Sequence, residues 1–210
     1  MALLNVREVY PDVYLGLWRI DETVAEFYEQ YSWTLKYQEV LESYKSVERQ
    51  REFLAVRTLL HEILSVMGLD EKRMAQTDDI EHNKWGKPLL KGFQISVSHT
   101  KGYAAVILSR KKRVAVDIEY FSDRVKKIAS KFLRKDEVAI DLDSLLLHWC
   151  GKETLYKLFS EQNLGYQDMR VKPFDVMADW LFVIENLKSK EKVNVDYELT
   201  MEFVLTYSCL

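Results

Sequence analysis

The chain has 210 residues, 48% of them hydrophobic and 12% aromatic, with a formal net charge of −3. That length and apolar content suit one large domain or two small packed halves. Three Pro and seven Gly exclude collagen-like repeats and long disordered linkers. The mild negative balance excludes a global polyanion binder, so affinity for phosphate must come from local clusters rather than from the overall field.

In chain order, the first element is the apolar, aromatic run from Val13 to Ile20, which reads as a strand. Asp21 then serves as an N-cap for a helix from about Glu22 to Trp33. A long amphipathic helix is predicted from about Ser46 to Met67. In it Phe53, Leu54, Val56, Leu59, Leu60, Ile63 and Leu64 recur at helical spacing, Ser46 caps the start and Gly68 ends it. Trp85-Gly86-Lys87-Pro88 is turn chemistry. Phe93 to Val97 reads as a short strand ending in a polar loop, Ser98-His99-Thr100. Tyr103 to Leu108 and Val114 to Ile118 read as two further strands joined by a hairpin turn over Ser109 to Arg113. A basic stretch, Arg124 to Lys135, contains no acid. Asp143 or Ser144 opens a second strong helix, Leu145 to Phe159, and the alternating tail around Val193–Tyr197 and Met201–Tyr207 predicts a closing antiparallel hairpin. Helices mixed with short, mostly antiparallel strands define an α+β fold.

Cys150 and Cys209 have neither disulfide-framework nor metal-ligand spacing. The N-terminal stretch lacks the basic and apolar regions of a signal peptide, and no apolar run reaches membrane length. These features point to a soluble cytoplasmic protein that engages neither membrane nor nucleic acid.

Three clusters carry chemistry. In Val114-Ala115-Val116-Asp117-Ile118-Glu119, alternation on a strand turns the apolar residues to the core and both acids to the other face, with Cα atoms ~6.5 Å apart. Two carboxylates so close repel unless a cation or proton lies between them, and hard oxygen ligands suit Mg²⁺; an edge strand with two solvated acids fits the same pattern. In His148-Trp149-Cys150-Gly151-Lys152-Glu153-Thr154-Leu155-Tyr156-Lys157, the residues Trp149, Glu153 and Lys157 fall at i, i+4 and i+8 on one face, either as a site or as an ordinary surface ion pair. Gly151 costs this helix ~1 kcal/mol relative to Ala, which a close approach by a neighbour would explain. Lastly, the hydroxyls and imidazole of Ser96-Val97-Ser98-His99-Thr100 could cradle a phosphate, or form plain surface. Arg51 and Arg57, on the first long helix, and Lys87, in the Trp-Gly-Lys-Pro turn, complete the candidate cations.

Taken together and in this order, GKP…SVSHTKGYAAVILS…VAVDIE…HWCGKETLYK resembles the 4′-phosphopantetheinyl transferase superfamily, in its larger single-chain type that activates peptide and polyketide synthetases. The likeness spans roughly Trp85 to Lys157. It implies two similar α+β halves with pseudo-two-fold symmetry, residues 1–109 and 110–210, with coenzyme A in the cleft between them. It implies Mg²⁺ on Asp117, Glu119 and Glu153, with Glu153 as base toward the carrier serine and Lys157 on the phosphate and the leaving group. Ser98, His99 and Thr100 would cradle the 3′-phosphate, Arg51, Lys87 and Lys152 would add positive charge, and Trp149 would shape the site. The implied activity is transfer of phosphopantetheine from coenzyme A to a serine of an apo acyl or peptidyl carrier protein, by a monomer. An inactive paralogue that only binds coenzyme A or a carrier is the alternative. Carrier domains are commonly acidic, so Arg124, Lys126, Lys127 and Lys131 form a candidate docking surface, or else a solvated helix face.

Overall fold

The computed structural model describes residues 3–75 and 79–210. The first half comprises β1 (Leu3–Tyr10), β2 (Val13–Arg19), α1 (Val24–Gln30), a 3₁₀ turn (Ser32–Tyr37), α2 (Gln38–Glu42), α3 (Val47–Val66), α4 (Glu71–Ala75), β3 (Glu81–His82), β4 (Pro88–Leu89), β5 (Gln94–Thr100) and β6 (Tyr103–Ser109). The second comprises β7 (Val114–Tyr120), a 3₁₀ turn (Asp123–Ile128), α5 (Ala129–Phe132), α6 (Leu142–Leu158), β8 (Met169–Val171), β9 (Leu181–Asn186), β10 (Lys192–Leu199) and β11 (Phe203–Cys209). Helix and sheet are mixed along the chain, so the α+β class holds.

The strands form two main antiparallel sheets, ordered β1-β2-β6-β5 and β7-β11-β10-β9-β8. Alternation along each strand distributes its side chains between two cores. On β2, Trp18 packs under α3 with Leu59, Leu60 and Ile63. Its neighbours in the pleat, Val13, Leu15 and Leu17, turn the other way and meet Val114, Val116 and Ile118 of β7 between the sheets. The remaining face of β7 lies under α6, against a third core that includes Ala115, Leu147, Cys150 and Phe182. Each layer is thus glued by aliphatic burial worth about 1.5–3 kcal/mol per large side chain.

This layering corrects the sequence reading of Ser109 to Arg113. That stretch is not a hairpin turn: β6 pairs with β2 and β5, whereas β7 pairs with β11 from Val114↔Cys209 to Tyr120↔Phe203. Ser109 Oγ accepts the backbone N–H of Lys111 (3.3 Å) and Lys112 (3.1 Å), closing a bend that carries the chain from one sheet to the other. A five-residue polar connection looks alike in both topologies; β6 already has both edges occupied, so β7 must pair elsewhere.

Helix starts also move. Thr23, not Asp21, caps α1 through a reciprocal box with Glu26, while Asp21 takes a hydrogen bond from Arg19 Nε at 2.6 Å. The helix ends at Gln30 and gives way to the 3₁₀ turn. Asp141 caps α6: its carboxylate accepts Ser144 N at 2.8 Å and Ser144 Oγ accepts Asp141 N at 3.2 Å. Ser46 caps α3 as expected, accepting Arg49 N at 3.3 Å. In the turn between β3 and β4, Asn83 Oδ1 accepts the N–H groups of Trp85 and Lys87, both at 3.0 Å, and Gly86 takes φ +80, which favours glycine.

Candidate active site

The strand–helix layer formed by β7 and α6 brings the acids together. Asp117 and Glu119 sit on the face of β7 beneath α6, so they do not project into open solvent as the strand pattern alone implied; Asp117 is only 5% exposed. The stripe Trp149–Glu153–Lys157 on α6 faces down onto them. Lys157 Nζ donates to Asp117 Oδ1 (2.7 Å) and to the Val116 carbonyl (2.9 Å). Trp149 Nε1 donates to Glu119 Oε1 at 2.9 Å. Tyr166, from a short turn after α6, donates its hydroxyl to Glu153 Oε1 at 2.7 Å and lays its ring 5.3 Å from that of Trp149.

Electrostatics bind the three acids into one unit. Burial pushes the Glu119 carboxyl up; the Trp149 N–H pulls it back, and the charges of Asp117 and Glu153 push it further. Burial likewise raises Glu153, and Asp117 adds to it against the opposing pull of Tyr166 and Lys157. Three carboxylates against one ammonium leave an excess of negative charge in a partly dry site.

Beside this cluster a cleft of about 200 Å³ runs between the halves. The Trp85–Pro88 turn and Ile95, Ser96 and Val97 of β5 form one wall; Glu153, Tyr156 and Lys157 of α6 form the other. Gly86, Pro88 and Val97 also border an adjoining recess lined by Arg49, Arg57, His82 and His99. His99 Nε2 meets Arg49 Nη1 at 2.5 Å and its Nδ1 meets Glu52 Oε2 at 3.2 Å. Burial depresses the His99 pKa, with the Glu52 carboxylate opposing and Arg49 assisting, so the ring is neutral, donates from Nδ1 to Glu52 and accepts from Arg49. The Arg57 guanidinium lies 3.4 Å from the Phe53 ring centroid, a cation–π contact inside the protein.

The structure relocates several candidates. Lys152 is fully buried, donating to Glu137 Oε2 (2.7 Å) and the Phe132 carbonyl (2.7 Å), so it adds no charge to the cleft. The next residue along the helix, Glu153, faces the cleft because a one-residue step turns the side chain by about 100°. Arg51 spends Nε and Nη2 on the carbonyls of Glu22 (2.6 Å) and Ile20 (2.7 Å); Arg49, two residues earlier, and Arg57, six residues later, line the recess instead. Ser98, His99 and Thr100 belong to strand β5 rather than to a loop, and the Ser98 and Thr100 hydroxyls accept N–H groups of β7. Lys87 lines the cleft and pairs with Glu161 at 3.1 Å. Sequence reasoning missed Tyr166 altogether, since nothing in Gly-Tyr-Gln-Asp marks a tyrosine that returns to an acid on the preceding helix.

Whether the acids suit a divalent ion is a question of donors and charge. Among the described residues, no three His, Cys, Asp or Glu side chains are gathered tightly enough to cage a metal by themselves. Mg²⁺ does not need such a cage: it is usually held by one or two carboxylates with waters and substrate phosphates. Asp117 Oδ2 is buried without a hydrogen-bond partner among the described residues, and the hard oxygen donors and surplus negative charge fit the ion.

Fold and site together define an α+β protein with a carboxylate–lysine centre beside a cleft that holds Lys87 and an adjoining recess that holds Arg49 and Arg57. Residues 113–208, which run from β7 through α6 to β11, match the model of the 4′-phosphopantetheinyl transferase superfamily. This stretch is therefore a domain of that superfamily, and the match supports phosphopantetheine transfer. Asp117, Glu119, Glu153 and Lys157 all lie inside it. No curated protein matches the chain. Among the described residues, no helix is long and apolar enough to cross a membrane.

Proposed function

We propose that the protein transfers the 4′-phosphopantetheine of coenzyme A to a serine hydroxyl of an apo acyl or peptidyl carrier protein, with Mg²⁺ held by Asp117, Glu119 and Glu153, releasing 3′,5′-ADP. The observation that carries this reading is the excess of carboxylate over ammonium at Asp117, Glu119, Glu153 and Lys157, set beside a cleft that holds Lys87 and a recess that holds Arg49 and Arg57. Such a pairing of a negative centre with neighbouring cations suits a diphosphate whose charge a divalent ion shares.

When bound, the ion would neutralise the diphosphate oxygens and stabilise the charge that develops on them. The chain's own groups do the rest. Lys157 presents its ammonium to the cleft, placed to meet the departing phosphate. Glu153 takes the proton of the attacking serine; its burial-raised pKa makes it a stronger base than a solvated glutamate. Tyr166 holds Glu153 in place through Oε1. His99, Arg49 and Arg57 form a recess for the 3′-phosphate of the nucleotide, and Lys87 lies between recess and centre.

The carrier approaches from the other side. Arg124, Lys126, Lys127 and Lys131 are exposed, whereas Val125 and Phe132 anchor their segment in the core. A surface groove lined by Glu119, Trp149, Arg124 and Lys127 leads from this segment to the acids. An acidic carrier would be steered onto it.

The test is incubation with coenzyme A, Mg²⁺ and a panel of apo carriers, read by mass spectrometry. A gain of one phosphopantetheine on a carrier supports the reading, and Asp117→Ala or Glu153→Gln should abolish it, the loss of a base alone costing ~10²–10⁴ in rate. Coenzyme A binding without transfer to any carrier would replace it with the inactive-paralogue reading.

A further inference from the structure

The edge of β7 that does not pair with β11 faces β5, yet the two strands exchange no backbone hydrogen bonds of a common sheet. The alternating hydroxyls of β5 take that role. Ser96 Oγ accepts Val116 N (3.2 Å), Ser98 Oγ accepts Ile118 N (3.2 Å) and Thr100 Oγ1 accepts Tyr120 N (3.1 Å). A period of two on one strand thus meets a period of two on the other, and three buried or half-buried N–H groups are satisfied by side chains.

The middle rung does more than the outer two. A serine hydroxyl has one proton and two lone pairs. Ile118 N–H occupies a lone pair of Ser98, and the Ser98 proton goes to Asp117 Oδ1 at 2.8 Å. The same Oδ1 takes the Lys157 ammonium at 2.7 Å. One carboxylate oxygen is therefore tied to a strand of the N-terminal half and to a helix of the C-terminal half. Ser98 is buried, with its proton and one lone pair engaged.

We infer that Ser98 is a positioning residue, whose hydroxyl sets the Asp117 carboxylate from the opposite half of the protein and so makes the metal centre depend on the docking of the two sheets. The inference rests on the proposed metal role of Asp117 and deepens it: a strand lying outside residues 113–208 completes a site whose acids all lie within them. Outer partners of ligating groups are worth roughly 10–100-fold in metal affinity.

The experiment measures Mn²⁺ binding to the full chain by electron paramagnetic resonance, without coenzyme A or carrier, alongside urea unfolding. Ser98→Ala should weaken Mn²⁺ by about 10-fold or more, and Ser98→Thr, which keeps the hydroxyl, should recover most of the loss. Ser96→Ala removes an equivalent rung but touches no carboxylate; it should lower stability as Ser98→Ala does and leave Mn²⁺ affinity near that of the wild type. Unchanged affinity in Ser98→Ala, or an equal loss in Ser96→Ala, would overturn the inference alone. A wild type that binds no Mn²⁺ even when coenzyme A is then added would overturn the metal reading and this inference with it.

Discussion

Lys152 Nζ and Glu137 Oε2 meet at 2.7 Å with both side chains fully buried, one residue along the helix from an acid of the candidate centre. The ammonium also holds the Phe132 carbonyl (2.7 Å) and the Tyr166 carbonyl (3.4 Å), and Glu137 Oε1 accepts Val171 N at 2.7 Å. One ion pair therefore pins the end of the basic segment, the turn that carries Tyr166, and edge strand β8. Burial opposes the charge on Lys152 and Glu137 restores it. Lys152→Met strands a buried carboxylate and should cost about 3–5 kcal/mol. Urea unfolding of this variant beside Lys152→Met/Glu137→Leu checks it: the double variant should recover much of the loss.

Gly151 is explained by β9. A Cβ there would lie 2.6 Å from a Phe182 ring carbon and 3.0 Å from Ile184 Cδ1. Gly151→Ala gains ~1 kcal/mol of helix propensity but forces an overpacking cost of about 1–3 kcal/mol, so net destabilisation is expected. Phe182→Leu in the same chain should reverse its sign, as chemical denaturation of the single and double variants would show.

Lys87, which lines the cleft, is paired with Glu161 at 3.1 Å, and the proposed function needs that lysine for a diphosphate. Glu161 is 57% exposed, so the pair contributes at most about 1 kcal/mol to stability. Glu161→Gln should leave the unfolding midpoint almost unchanged and tighten coenzyme A binding by freeing Lys87. Calorimetric titration of both proteins measures this; weaker binding in the variant would contradict the placement of Lys87.

His99 gives a pH dependence of known sign. Its folded pKa lies below the ordinary 6.5 because burial disfavours the imidazolium. Above about pH 6.5 the ring is neutral whether folded or unfolded, and its contribution is fully present. As the pH falls from there toward the folded pKa, the unfolded chain takes up a proton that the native one refuses, and stability is lost. His99→Gln should flatten that part of the curve in urea unfolding between pH 5 and 8, the difference from wild type isolating His99 from His82 and His148.

The basic segment predicts a salt-sensitive encounter. Lys126→Glu with Lys127→Glu should raise KM for an acidic carrier by about 10-fold or more at low ionic strength, the scale of electrostatic steering, while kcat changes little. The effect should shrink as salt screens exposed charges. Initial rates at two ionic strengths decide it.

Much of this was legible in the sequence because it is local. Leu59, Leu60 and Ile63 recur at helical spacing whatever they pack against; Trp85-Gly86-Lys87-Pro88 is turn chemistry by itself; Trp149, Glu153 and Lys157 share a face wherever their helix lies. Alternation also assigned Val114, Val116 and Ile118 to one face of a strand and Asp117 and Glu119 to the other. Such facts follow from the backbone periods of 3.6 and 2, which the order of residues carries directly.

What only the tertiary structure decided is what each face meets. Ser109–Arg113 has the composition of a hairpin turn, and pairing of β6 on both edges made it a crossing between sheets. Lys152 and Arg51 carry the same charge as Lys157 and Arg49, yet packing turned the first two inward to Glu137 and to backbone carbonyls. Tyr166 reaches Glu153, and Ser98 reaches Asp117, across contacts between separate elements whose packing no local period specifies. The sequence determines residue type and local period; the partner of a hydroxyl or an ammonium depends on which surfaces are buried together, a cooperative result of the whole core.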